Sequence, residues 1–186
     1  MKRSIINPHK GHLLLSEPFL NDEFFKRSVI LLAENSSSGS MGFILNKPMG
    51  YLIHELIKSF PECELPVYFG GPVENNSLFF IHRIPKLIPG GYSIDNQWYY
   101  GGDFKQVKQM VALGLIQADD IRFFAGYSGW DSGQLDHELS SDAWVIFEKP
   151  NDALTMSPEK MWGELLRTNH SKLAIWSNYP DDPNLN

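Results

Sequence analysis

The chain of 186 residues contains a single cysteine, Cys63, so no disulfide can close within it and a reducing compartment is the simplest setting. A cytoplasmic location is the expectation. It lacks any apolar run near the ~18 residues that a membrane-spanning helix needs. Pro8, His9 and Lys10 break the N-terminus before Leu13, Leu14 and Leu15 could serve as a signal-peptide core. Membrane insertion and export are both disfavoured. Positive charge is scarce as well: Lys+Arg 16 against Asp+Glu 22 leaves −6, whereas holding a phosphate backbone takes clustered cations. Direct nucleic-acid binding is disfavoured for that reason. The phosphate-cradling patterns G-x-x-x-x-G-K-[ST] and G-x-G-x-x-G are missing too, so nucleotide binding has no positive support.

What is present suits one globular domain spanning residues 1–186. Hydrophobic residues make up 42% and charged residues 20%, with 5 Trp, 7 Tyr and 12 Phe, enough for a core without staples. Strand-length apolar runs fall at His12 to Ser16, Ser28 to Ala33 and Met41 to Leu45, and Val29 to Leu32 is continuous enough for a strand covered on both faces. Asn35 to Ser40 is small and polar, as a hairpin connection requires. Further strands are expected at Val67 to Phe69, Leu78 to Ile81, Trp98 to Tyr100, Ile121 to Tyr127 and Trp144 to Phe147. Leu52, Leu56 and Phe60 lie four apart before Pro61 and predict a helix over 51–60. Asp103 is placed to cap a second helix with Phe104, Val107, Met110, Val111 and Leu115 inward. A third helix follows from Gln134 to Leu139, and Ser157-Pro158 has the form of an N-cap and first turn for a fourth. Residues 177–186 read as an acidic tail. About eight strands irregularly interrupted by four helices favour α+β, with a mostly antiparallel sheet curled toward a barrel and flanking helices.

The motifs fall short of naming a reaction. Gly126-Tyr127-Ser128-Gly129-Trp130 approaches a nucleophile elbow, but Trp130 stands where G-x-S-x-G needs its second glycine. His54-Glu55 begins like a zincin helix, yet Lys58 replaces the second imidazole. His9, His12, His82, His137 and His170 are scattered, and no close thiolate pair exists; no cofactor and no structural metal are expected, although His82 and His137 remain able to meet in space. Lys105 and Lys108 share a helix face with Asp103 nearby, the pattern of a solvated surface.

Four strings, in order, carry a resemblance: Gly11-His12-Leu13-Leu14-Leu15-Ser16-Glu17-Pro18 with Phe25 to Ile30, Met41-Gly42-Phe43-Ile44-Leu45-Asn46-Lys47-Pro48, Phe69-Gly70-Gly71-Pro72-Val73, and Gly126 to Leu135. Across about residues 11–166 the chain resembles the bacterial YqgE/AlgH family. The resemblance implies an α+β domain whose bifurcated sheet folds into a pseudo-barrel. It also implies a connection to regulation, since members are described as transcriptional regulators and one is linked to alginate control. The chain departs from the family pattern at Tyr100-Gly101-Gly102-Asp103-Phe104, where many relatives carry threonine and serine before the aspartate.

The matched strings follow expected strands, where glycine admits a ligand or a second backbone. Asn46, Lys47, Gly70, Gly71, Pro72 and His82 are therefore candidates for contact with a ligand or partner, together with Gly126, Tyr127, Ser128, Gly129, Trp130, Gly133 and Gln134. The competing explanation is architectural: glycines for turns and Trp130 for the core. The leading expectation is a non-enzymatic regulatory protein working through a ligand or protein partner. The first alternative is a small-molecule hydrolase assembled from Lys47, His82, Ser128 and His137. The second is direct DNA binding.

Overall fold

The apolar runs become strands because both of their faces find cover. In the computed structural model, which describes residues 7–20, 22–149 and 153–169, β1 (Leu13–Ser16) is buried at every position. Leu13 and Leu15 enter one core while Leu14 enters another. β2 (Val29–Ser36) alternates in the same way, Val29, Leu31 and Ala33 on one side and Ile30 and Leu32 on the other. A continuous apolar run is what a two-sided strand demands. β3 (Gly39–Ile44) returns antiparallel from β2 through Ser37 and Ser38, so the expected hairpin forms, with much of Asn35 to Ser40 paired rather than looped.

Ten strands and four helices are present among the described residues, an α+β arrangement whose sheet is mostly antiparallel. The main path runs β10 (Trp144–Phe147), β1, β2, β3, β9 (Ile121–Asp131), β6 (Val73–His82), β8 (Tyr99–Tyr100), β7 (Tyr92–Ser93). β4 (Pro48–Leu52) pairs with β5 (Pro66–Phe69), and β5 lies parallel to β9 at Val67 to Phe69. The sheet therefore forks: one edge of β9 takes β5 along Phe123 to Ala125 and β3 along Ser128 to Asp131, while the other edge takes β6. β10 and β7 end the path unpaired with each other, so hydrogen bonds do not close the expected pseudo-barrel.

Three differences from the sequence reading have physical causes. Tyr51 and Leu52 are strand, paired with Val67 and Pro66, and only Ile53–Leu56 (α1) is helical. The four-residue stripe misled because the residue that is buried there is Ile53, while Leu56 is 46% exposed. Val73 to Asn76 opens β6, and β9 runs on past Tyr127 to Asp131, although both segments had the composition of turns. Val73 pairs with Tyr127, and Ser128, Gly129 and Trp130 pair with Gly42, Met41 and Ser40, while an irregular stretch follows Val73 in which Glu74 takes φ +48 and Gly126 φ +69. Leu115, expected inward, is exposed because Gly114, at φ +69, ends α2 (Phe104–Ala112) before it. The expected cap of α2 does form, Asp103 accepting from the Lys105 and Gln106 amides at 2.9 and 3.1 Å.

One core covers a single face of the sheet and includes Met161, Trp162, Leu165 and Leu166 of α4 (Pro158–Asn169). Trp162 Nε1 donates to the Ser16 carbonyl at 2.9 Å, so α4 is tied to β1 as well as packed on it. The opposite face carries two cores, one under α3 (Gln134–Ser140) and one between the β5–β9–β6 region, α1 and α2. The acidic tail at 177–186 lies outside the described residues.

The fork closes through backbone contact. Gly70 N donates to Ala125 O at 2.9 Å, and Gly70 O accepts from Ile44 N at 3.1 Å, so one glycine joins β9 and β3 at the end of β5. A Cβ on Gly70 would overlap the Gly126 carbonyl oxygen and meet Phe124 Cβ at 2.9 Å, and one on Gly71, at φ +151, would overlap the Tyr127 backbone. Gly71→Ala is expected to destabilise by about 3 kcal/mol or more, since overpacking and backbone strain add. Gly114→Ala, with φ +69 and nothing within 4 Å of its Cβ, is expected to cost about 1 kcal/mol. Chemical denaturation of the two variants checks the contrast.

Candidate functional site

The sequence-selected residues separate into three places. The first is the fork. Gly70, Gly71, Gly126 and Ser128 are buried there against one another's backbones, with Pro72 and Tyr127 half-buried beside them. Ser128 Oγ donates to Gly70 O at 3.1 Å, and no histidine among the described residues hydrogen-bonds to it. His82 pairs with Ile121, seven residues up β9 from Ser128, a separation on the order of 20 Å along a strand. Lys47 Nζ donates to the Phe24 and Glu23 carbonyls at 2.7 and 3.4 Å, and His137 is exposed on α3. Burial pushes the Lys47 ammonium below its ordinary value, with Asp22 opposing. The four groups of the hydrolase alternative do not meet. Asn46 is a latch, accepting from Val29 N and donating to Arg27 O, both at 2.9 Å.

The second place is a carboxylate shared by two indoles. Trp130, 6% exposed, donates its Nε1–H to Glu138 Oε2 at 2.8 Å, and Trp144 donates to the same oxygen at 2.7 Å. Gln134 donates to Glu138 Oε1 at 2.9 Å and accepts from Asp131 N at 3.0 Å, while Gly133, at φ +74, makes the turn into α3 and Gly129 stays exposed. Trp130 is thus a core residue, as the architectural reading has it. Glu138→Ala leaves two indole N–H groups without their acceptor and is expected to cost about 2–4 kcal/mol, read as a fall in melting temperature together with a shift in tryptophan emission.

His82 is the third. Its side chain is wholly buried, Nδ1 accepts from Ile84 N at 3.3 Å, and the ring stacks on Tyr99 at 5.7 Å. Nε2 lies against the Gly101 backbone, near enough for that carbonyl to favour a proton but without hydrogen-bond geometry. Burial outweighs the carbonyl and lowers the imidazole pKa. The unfolded chain, titrating near the ordinary ~6.5, then binds more protons just below that pH than the folded chain does. Stability from this group is complete above about pH 6.5 and declines as pH falls toward the lower folded value. His82→Leu should therefore flatten the loss of denaturation midpoint between about pH 7 and pH 5 relative to the wild type.

A feature that motif reading passed over lies on β9. Arg122 is 6% exposed, yet its guanidinium meets no carboxylate within salt-bridge distance among the described residues. Nη1 donates to Leu45 O at 2.7 Å, Nη2 donates to Leu154 O at 2.6 Å, and the group lies 4.3 Å from the Tyr68 ring centroid. Burial lowers its pKa, while Tyr68 and Asp119 act the other way; a guanidinium nonetheless keeps its charge. It lines a pocket of about 250 Å³ with Tyr68, Asp119, Leu154, Thr155 and Ser157, beside the N-terminus of α4. The available signal was a lone cation in the apolar run Ile121 to Ala125. Lys58, Lys105 and Lys108 line a second, shallower recess of about 460 Å³.

Comparison with known proteins agrees with this architecture. The AlgH-like (DUF179) family model matches residues 13–174. A UPF0301 protein of Parabacteroides distasonis is 40% identical over 182 residues, covering 96% of this chain and 92% of the relative. A UPF0301 protein of Cytophaga hutchinsonii is 40% identical over 179 residues, covering 95% and 98%. Among solved structures, AlgH of Pseudomonas aeruginosa superposes with TM-score 0.72 at 24% identity, over 97% of this chain and 98% of that one. A protein of Corynebacterium diphtheriae gives TM-score 0.78 at 23% identity, over 96% and 95%; at such identity these two likenesses speak for the fold alone. No helix among the described residues is long and apolar enough to cross a membrane. With the family model spanning most of its length and relatives matching it from end to end, the chain belongs to the AlgH-like, UPF0301 family.

Proposed function

We propose that the protein acts by binding a small anionic ligand in the Arg122 pocket, and that occupancy rather than turnover is its contribution to cellular regulation. The observation that carries this is a buried guanidinium lining a pocket of about 250 Å³ with only neutral carbonyls and an aromatic ring in contact. Buried charges are ordinarily paired, and a carboxylate or phosphate would complete this one. Ser157 stands on the same wall with its hydroxyl donated to Glu159 at 2.7 Å, and the backbone at the α4 N-terminus favours negative charge. The fork residues hold the pocket's strand in place; they are not its lining. The resemblance to a family described as regulators fits a binding role. The separation of Ser128 from His82 removes the support that a hydrolase would need.

Asp119 gives the proposal a sign test, because its carboxylate lines the same pocket and repels an incoming anion. Isothermal titration with inorganic phosphate and with small mono- and dicarboxylates should detect binding that tightens about three- to ten-fold in Asp119→Asn. The same binding should weaken in Arg122→Lys, which keeps charge but loses the two-pronged donor. Absence of binding in both the wild type and Asp119→Asn overturns the reading.

A further inference from the structure

We propose that His9, His12 and Glu148 form a site for a divalent transition-metal ion of the zinc class, where the segment before β1 meets the end of β10. One ligand atom from each of the three lies within 4.8 Å of the others. Strand register brings two of them together. Leu13 pairs with Phe147, so the next residues outward, His12 and Glu148, face each other, and His12 Nε2 lies 3.2 Å from Glu148 Oε1. A turn adds the third: His12 N donates to His9 O at 3.1 Å, which folds His9 back until the two imidazole centroids are 3.4 Å apart.

Two imidazoles and a carboxylate are a nitrogen–oxygen donor set suited to zinc, nickel or copper(II), with room left for water in the remaining position. His9 already has the tautomer that such an ion needs. Its Nδ1 lies 2.9 Å from the Lys10 carbonyl, an acceptor only, so Nδ1 carries the proton and Nε2 keeps its lone pair. His12 has to change. Its Nδ1 accepts from His9 N at 3.2 Å, which puts the ring proton on Nε2, toward Glu148. An ion at Nε2 displaces that proton to Nδ1, and the His9 amide hydrogen bond is given up in exchange, so no proton is gained or lost by the pair of nitrogens. The stacked rings must also part. The groups that have to move are the exposed ones: His9 is exposed and the Glu148 side chain is 85% accessible, whereas buried His12 stays as the anchor. The lysines next to this set in sequence are engaged elsewhere, Lys10 on the Ser93 carbonyl at 2.8 Å and Lys149 with Asp95 at 3.4 Å.

Reorganisation of this kind points to micromolar rather than tighter affinity. The test is calorimetric titration of zinc chloride into the untagged full chain after chelator treatment and dialysis. One ion per chain is expected, and His9→Ala and Glu148→Gln should each weaken binding by at least about ten-fold. Because both side chains are exposed, the melting temperature of the metal-free protein should stay where it is. Cobalt(II) titration should give visible absorption bands of a tetrahedral nitrogen–oxygen site, lost in the same variants. Absence of binding up to about 100 µM zinc, or binding that neither substitution changes, overturns the proposal.

Discussion

The close approach of backbones at the fork is the constraint on which the rest of this molecule depends. β9 has to serve a parallel neighbour over its first half and an antiparallel one over its second. The two neighbours cannot diverge around a side chain at the branch point. Gly70 removes the obstruction on one side and Gly126 on the other, and Gly70 links all parties through its amide and carbonyl. Ser128 adds its hydroxyl to that carbonyl. Gly70, Gly71 and Gly126 are therefore explained by crowding before any ligand is invoked, and the Ser128 hydroxyl between them is spent on the Gly70 carbonyl.

The same branching creates the recess. Because β5 runs beside only part of β9, Arg122 near the start of β9 can reach Leu45 beyond the end of β3 and Leu154 on the approach to α4. A guanidinium that ties these segments gives local rigidity, and the same residue lines the pocket. Stacking on Tyr68 shields one face of the charge without neutralising it. On the proposed reading, architecture and binding draw on one residue, so its replacement would read out on both and Asp119, which lines the same pocket, is the cleaner probe.

Much of the fold was legible because its signals were local. Leu13 to Leu15 and Val29 to Leu32 declared two-sided strands, Asp103 announced the start of α2, and Ser157-Pro158 announced α4. Tyr51 and Leu52 were misread because their partner strand lies fourteen residues away, and pairing with Pro66 and Val67 overrides a helical spacing. The glycines at 126 and 129 looked like a turn for the opposite reason: sequence shows permissive residues but not the strand that crosses them. Arg122 left only a weak trace, one cation in an apolar run, and the facing of His12 and Glu148 depends on a register across 136 positions. Such meetings are properties of topology, and no short window contains them.

The position of α4 in the chain order has a consequence for biosynthesis. Met161, Trp162, Leu165 and Leu166 complete a core whose other members include Leu13, Leu15, Val29 and Leu31. Strands made first must wait for a helix made near the end. During translation the greasy side of β1 and β2 stays incompletely covered until Leu166 has cleared the exit tunnel, the kind of exposed apolar surface on which a holding chaperone acts.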